Sequence, residues 1–358
     1  MSDELQKTWT RVTVQLAKAG ARVEALTKGR DPVERAEGYR FLTRVLSAMI
    51  DFSIEADGER PAFVRVMTTT RKFYGDCPDT MYHRATLRPG AGYRITGQRG
   101  GCIYLAFCVY GLRGKRNAIL ANVSDAELDF AEDGSFEIIL SAERPEGTAN
   151  WLQLEPAAAT LVARQYFADW ETETPARFNI AALEPVGPPS APQPNEVARR
   201  LRALGESMTR TLRATEAAAA KWIERPNEIS FDSEADGLAS LFATPDNQYV
   251  GGWYKLAEDE ALVMTGRAPA CRYWGVQLWS RWLESREFLH RPVCLNHSQV
   301  KLEEDGTFRI VVAHRDPGTP NWLDTSGHGE GGVVFRWLLP EGDLPRPKFR
   351  VEKLTALN

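Results

Sequence analysis

A chain that carries two copies of one unit, in the same order, must build that unit twice. Self-similarity therefore limits the fold more than any local pattern does. Pro78-Asp79-Thr80-Met81-Tyr82 is followed by Tyr93-Arg94-Ile95-Thr96-Gly97 and by an apolar run from Ile103 to Tyr110. Pro245-Asp246-Asn247-Gln248-Tyr249, Leu262-Val263-Met264-Thr265-Gly266 and the run from Arg272 to Trp279 keep that order. Downstream, Asp133-Gly134-Ser135-Phe136 recurs as Asp305-Gly306-Thr307-Phe308, and Asn150-Trp151-Leu152 recurs as Asn321-Trp322-Leu323. The offset drifts only from 167 to 172, which marks a duplicated unit of about 110 residues.

Each copy reads as β structure. Ala91 to Thr96, Ile103 to Tyr110, Phe136 to Leu140 and Phe308 to Val312 are short and rich in β-branched or aromatic residues, with Asp-Gly and Gly-Gly pairs between them. Such spacing predicts antiparallel sandwiches of jelly-roll type. Helices are expected outside the copies. Leu5, Trp9, Val12, Leu16, Val23 and Leu26 recur at helical spacing. Asp31-Pro32-Val33-Glu34 has the cap, first-turn proline and acidic residue that open a second helix, which is expected to run to about Glu55. Residues 185–194 are a proline-rich linker, and 195–225 form one long helix of about 45 Å. The expected fold is mainly β with α additions: two tandem jelly-roll-like antiparallel β-sandwiches, N-terminal helices and one long linking helix. Its parts are 1–60 helical, 61–184 the first sandwich, 185–194 linker, 195–225 bridging helix and 226–358 the second sandwich.

Charge and composition narrow the partners. With 44 basic and 48 acidic side chains the net charge is -4, so no nucleic-acid partner is expected. No window offers the ~18 consecutive apolar residues of a membrane span. The opening MSDELQKTWT lacks the basic-then-apolar order of a signal peptide. Five cysteines, an odd number without any CxxC, read as reduced, mostly buried thiols. Together these features predict a cytoplasmic protein.

The duplication also supplies an internal control. Residues present in both copies, such as Asn150/Asn321, Trp151/Trp322, Arg144/Arg315 and Tyr82/Tyr249, are assigned mainly to structure, and residues in one copy only are candidates for a site. After the shared Asn-Trp-Leu the copies part. Copy one runs to Arg164-Gln165-Tyr166-Phe167, whereas copy two continues Asp324-Thr325-Ser326-Gly327-His328-Gly329-Glu330-Gly331-Gly332 and then Val333 to Trp337. In so glycine-rich a loop Asp324 and His328 can converge, and a carboxylate beside an imidazole is the usual arrangement of a general base. Arg336 can bind an anion or a developing oxyanion. The competing reading is a turn in which Asp324 and Thr325 bond to backbone and His328 is merely exposed.

Period two along Arg272 to Trp282 puts Tyr273, Gly275, Gln277, Trp279 and Arg281 on one face and Trp274, Val276, Leu278 and Trp282 on the other. Gln277 stands where copy one has Cys108. A polar side chain there needs either a ligand or solvent. His290, His297, His314 and His328 form no HxH or HExxH, so no metal is expected; a divalent metal held with Asp316 or Asp324 is the alternative. No GxSxG, P-loop or dinucleotide fingerprint occurs, and no organic cofactor is expected.

From Pro245-Asp246-Asn247 through Tyr273-Trp274-Gly275-Val276-Gln277-Leu278 to Asn321-Trp322-Leu323-Asp324-Thr325 and Gly327-His328, the second copy resembles the domain-of-unknown-function 1214 family. Arg164-Gln165-Tyr166-Phe167-Ala168-Asp169-Trp170-Glu171, then Pro175-Ala176-Arg177, is similar to the family's first-half segment. The resemblance spans roughly residues 65 to 355 and implies a jelly-roll β-sandwich; it brings no catalytic residues.

The function expected is a cofactor-independent enzyme acting by acid/base chemistry, of lyase, isomerase or hydrolase type, on a lipophilic small molecule such as a lipid, terpenoid or steroid-like metabolite. His328 is its acid or base, Asp324 orients it, and Arg336 stabilises charge. Gln277, Tyr249, Trp279, Trp322 and Arg281 line the pocket. The alternative is a non-enzymatic sandwich that binds a small molecule or carbohydrate. A homo-oligomer through the helical segments is a further expectation.

Overall fold

The computed structural model describes residues 2–114, 116–230 and 244–357. The chain divides into two compact units. One comprises Met1–Arg71 and Thr80–Arg210, the other Lys72–Asp79 and Thr211–Asn358. Residues 72–79 fall inside the span that sequence assigns to the first copy, yet they pack within the second unit.

The first unit opens with α1 (Ser2–Leu26) and α2 (Pro32–Met49), which pack on one another. Asp31 caps α2 by accepting from Val33 N at 2.8 Å, as its sequence predicts. The helix then widens into a π-turn over Ile50–Ile54. Val12, Ala19 and Val23 of α1 are buried, but Trp9 is 58% exposed, so the inward stripe is narrower than the apolar spacing suggests.

Nine strands follow: β1 (Val64–Arg65), β2 (Thr80–Thr86), β3 (Tyr93–Gln98), β4 (Tyr104–Arg113), β5 (Arg116–Ser124), β6 (Ser135–Ser141), β7 (Trp151–Gln153), β8 (Ala158–Tyr166) and β9 (Arg177–Ala182). They form two sheets, β1-β2-β8-β4-β5 and β7-β6-β3-β9. Alternation places Leu105, Phe107, Leu161, Ile138 and Leu140 in the layer between the sheets. The long helix α3 (Pro194–Ile223) comes next.

The second copy repeats the plan strand for strand. Its elements are β10 (Ile229–Ser230), β11 (Asn247–Lys255), β12 (Glu260–Gly266), β13 (Tyr273–Trp279), β14 (Cys294–Asn296), β15 (Phe308–Ala313), β16 (Trp322–Asp324), β17 (Glu330–Leu338) and β18 (Lys348–Lys353). The sheets are β10-β11-β17-β13-β14 and β16-β15-β12-β18, the same orders shifted by nine. A short parallel pair recurs as well, β6 with β7 and β15 with β16. Val276, Leu278, Phe335, Trp337, Ile310 and Val312 fill the layer between the two sheets.

The residues shared by both copies explain why the plan survives. Asn150 accepts from Asp129 N and donates to the carbonyls of Asp129 and Glu137 at 2.8–2.9 Å. Asn321 makes the same three bonds, to Lys301 N, Lys301 O and Arg309 O, at 2.8–3.0 Å. Each amide ties the approach of the short parallel strand to a neighbouring loop and strand, which makes the motif structural.

Candidate functional site

All seven residues of β13 are buried, and the layer each one joins follows the period-two reading. Trp274, Val276 and Leu278 face the apolar layer, while Tyr273, Gly275, Gln277 and Trp279 lie on the opposite, outer face of the five-stranded sheet. Strand register arranges that face in rows. Tyr249, Arg336 and Gly275 stand side by side, as do Asn247, Leu338 and Tyr273, and as do Trp253, Gly332 and Trp279.

This outer face is covered. The C-terminal part of α3 brings Ala218, Ala219 and Trp222 onto Trp253, Trp279 and Val334, with the Trp222 and Trp279 rings stacked at 6.3 Å. Residues 72–79 cover another part. Asp76 O accepts from Gln277 Nε2 at 2.8 Å and from Trp279 Nε1 at 3.2 Å. Gln277 is therefore satisfied by backbone from the first half of the chain, a partner outside the choice between ligand and solvent. Lys72 Nζ donates to the carbonyls of Ser285 and Arg286 at 3.1 and 2.9 Å and lies over the Phe288 ring. Gly75, at φ 69°, passes so close to the indole of Trp279 that a Cβ there would sit 2.5 Å from Cη2.

Beneath this cover ionisable groups gather. Asp76 and Asp79 are 3% and 2% exposed, and Arg336 is 4% exposed. The Tyr273 hydroxyl donates to Asp79 Oδ2 at 2.7 Å, and Cys77 Sγ lies 3.9 Å from the same hydroxyl. Arg336 donates to Gly75 O at 3.1 Å, and its guanidinium lies 5.2 Å from the Tyr249 ring centroid. Burial, reinforced by Asp79 and Cys77, holds the Tyr273 phenol far above its ordinary pKa, and the charge of Arg336 opposes this. Burial also pushes the Cys77 thiol up to about 11. Buried ionisable groups at this density cost stability that apolar packing would not, so they point to a working site.

The residues singled out from sequence divide into two places. Arg336, Gln277, Tyr249 and Trp279 share the outer face of the large sheet. Arg281, just past β13, pairs with Glu330 Oε1 at 3.7 Å and lies 5.9 Å from the Trp253 ring centroid. Asp324, His328 and Trp322 lie in and after β16, on the other sheet's edge. Asp324 Oδ2 takes Arg291 Nη1 at 2.6 Å, and its Oδ1 takes Ser326 N at 2.7 Å. His328 Nδ1 faces Ser326 O at 3.0 Å, and Trp322 Nε1 donates to Ala313 O at 3.2 Å. Glu330, two residues after His328, is six residues from Arg336 along β17, a separation of about 20 Å in an extended strand.

Arg336 is not confined to one copy, which corrects the reason for choosing it. β8 and β17 correspond at a uniform offset of 172, and Arg164 occupies the matching position. Arg164 is 2% exposed, pairs across the ladder with Tyr82 as Arg336 does with Tyr249, and lies 5.7 Å from that ring centroid. Its guanidinium donates to the Tyr110 hydroxyl. What distinguishes the second copy is the surroundings. Asp76, Asp79 and Gln277 accompany Arg336, while Cys108 and Tyr110 accompany Arg164. Asp76 and Asp79 escaped the sequence reading, although Pro78-Asp79 was visible as a repeat marker.

Among the described residues no group of three or more His, Cys, Asp or Glu is placed to hold a metal ion, and no helix is long and apolar enough to cross a membrane. An open pocket of about 410 Å³ at the α1–α2 turn, lined by Lys28, Arg30 and Asp31 among others, contains none of these residues.

The family described as "Protein of unknown function (DUF1214)" matches residues 111–169 and 242–342. A crystal structure of a putative uncharacterized protein from Burkholderia cenocepacia is similar over 100% of both chains, at 32% identity and a TM-score of 0.93. The chain belongs to the DUF1214 family. The first segment that matches DUF1214 contains Arg164 and the second contains its counterpart Arg336, whereas residues 72–79 lie outside both. The VPA0106 protein of Vibrio parahaemolyticus shares the fold at 13% identity and a TM-score of 0.51, covering 88% of this chain and 98% of its own. No curated protein matches the chain.

Proposed function

We propose that the protein is a cofactor-independent enzyme that uses acid/base chemistry on a lipophilic small molecule, with its site on the outer face of the second large sheet. The observation that carries this reading is the buried Tyr273–Asp79 hydrogen bond of 2.7 Å beside Arg336. A proton taken from the substrate passes to Tyr273 Oη as the phenol's own proton moves to Asp79 Oδ2. The charge left on a substrate oxygen is stabilised by Arg336, whose position is a diagonal neighbour of Tyr273 at about 7–8 Å. The acid/base role thus belongs to this pair rather than to His328. Tyr249 and Trp279 supply the apolar walls.

The test is proton exchange in D2O with a panel of lipophilic ketones and esters, followed by NMR. The full chain should wash deuterium into a C–H position of at least one of them, and Tyr273→Phe should slow that exchange about 100-fold. Exchange at the unmodified rate in Tyr273→Phe would overturn the reading. A non-catalytic binding protein is the second reading, favoured by the closure of the cluster, whose acids and arginine are all under 5% exposed. It predicts a retained ligand and no exchange.

A cytoplasmic location belongs to the same proposal, supported by five cysteines that form no disulfide. So does association of copies through the helical segments, for which Trp9 offers an exposed apolar contact on α1.

A further inference from the structure

Asn247, the first residue of β11, is 5% exposed. Among the described residues neither its Oδ1 nor its Nδ2 has a hydrogen-bond partner. A buried amide with both ends unmet carries the full cost of its lost hydration. Its position locates that cost. Alternation along β11 puts Asn247 on the outer face with Tyr249, and Leu338 separates it from Tyr273 in one row. Arg336 is its diagonal neighbour. The corresponding residue of the first copy, 167 positions earlier, is Thr80, so the amide is particular to the copy that carries the acidic cluster.

We infer that Asn247 is the specificity-determining residue of this site and that the substrate it selects carries a carboxamide or lactam group. An asparagine side chain presents one acceptor and two donors in a plane. The group that meets both kinds at once is another amide edge. A carboxylate meets only the donor, and an ammonium meets only the acceptor. The inference rests on the proposed site for its location, but not on turnover.

The experiment is thermal unfolding of the full chain with hexanamide, hexanoate or hexylamine as probes, in the unmodified protein and in Asn247→Leu, Asn247→Asp and Tyr273→Phe. Hexanamide should raise the unfolding temperature where the other two do not, with at least tenfold tighter binding. Asn247→Leu should unfold at a higher temperature without probe, because the unmet amide is gone, and should lose the hexanamide shift. Should Asn247→Leu fail to fold, Asn247→Asp, which keeps the shape and removes the donor, must lose the same shift. An equal response to hexanoate, a hexanamide shift surviving in either Asn247 variant, or Asn247→Leu folding to a less stable protein would overturn the inference. Tyr273→Phe should keep the hexanamide shift. If it does so while retaining deuterium exchange, the enzymatic reading fails and the recognition role of Asn247 stands.

Discussion

Asp76 accepts two hydrogen bonds from Ser285, one from its backbone N–H at 2.8 Å and one from its hydroxyl at 2.6 Å, although 209 residues separate them. Asp76→Ala leaves a buried N–H and hydroxyl without their acceptor and frees one end of the covering segment. It should cost about 2–4 kcal/mol. Ser285→Ala removes only the hydroxyl and should cost about 1–2 kcal/mol. Urea unfolding of both variants checks the order. Equal losses would mean that the backbone bond contributes nothing.

Gly75 and Gly29 have nearly the same backbone, φ 69° and 73°, but different surroundings. A Cβ at Gly75 meets the Trp279 indole at 2.5 Å, and a Cβ at Gly29 meets nothing within 4 Å. Gly29→Ala should therefore cost only the strain of the left-handed conformation, about 1 kcal/mol. Gly75→Ala should add a clash and cost about 3 kcal/mol or more. Adding Trp279→Phe to Gly75→Ala should recover part of the loss, whereas strictly additive unfolding energies would show that the two residues do not collide.

His83 of β2 lies edge-on to Phe178 at 5.3 Å. Burial, and then the charge of Arg65, lower its pKa to about 4. The unfolded chain binds a proton near pH 6.5 that the folded chain refuses until about pH 4. Stability is thus full above about pH 6.5 and falls as the pH drops toward 4, by roughly 1–3 kcal/mol from this group. Unfolding free energies at pH 7 and pH 5 should differ less in His83→Leu than in the unmodified protein. An unchanged difference would remove His83 as the cause.

The five cysteines form no disulfide, and burial raises the pKa of Cys77 and of Cys271 to about 11 and that of Cys294 well above its ordinary value. These thiols are almost wholly protonated at neutral pH and are poor nucleophiles. A thiol-disulfide reagent at pH 7.5 should label them slowly in the folded protein and all five within minutes in guanidinium chloride. Fast labelling of Cys77 in the folded state would argue for a nucleophilic role.

Much of the fold was legible because its signals are local. The Asp31 cap, the alternation along β13 and the Asp-Gly turns each announce an element from a few neighbouring residues. The strand-for-strand duplication followed from matched turn motifs. The candidate site was only half legible. Period two along β13 puts Gln277 and Trp279 on one face, and only strand register, which no local pattern carries, brings Arg336 and Tyr249 beside them. The match of Arg164 to Arg336 was hidden because the offset shifts from 171 at Asn150 to 172 along β8, and only Val162 and Arg164 are repeated within that strand. Asp324 and His328 looked like a pair because the glycine-rich loop allows it. The same freedom lets Asp324 turn to Ser326 N, two residues on, which costs less order than reaching an imidazole. Nothing in Phe73-Tyr74-Gly75-Asp76 encodes a partner 200 residues away, so the cover of the second sheet had no local signal.

That cover makes the long helix a poor place to cut the chain in two. A ribosome releases residues 72–79 well before it makes the strands they seal, and Phe73 and Cys77 must wait in water until then. A fragment beginning at Thr211 would contain strands β10 to β18 and still lack a wall over Trp279 and Tyr273. It should be sticky and poorly packed until an added peptide carrying Lys72 to Asp79 restores the missing wall. Gene duplication supplied two sandwiches, but the second one borrows eight residues from upstream and is not a separable module.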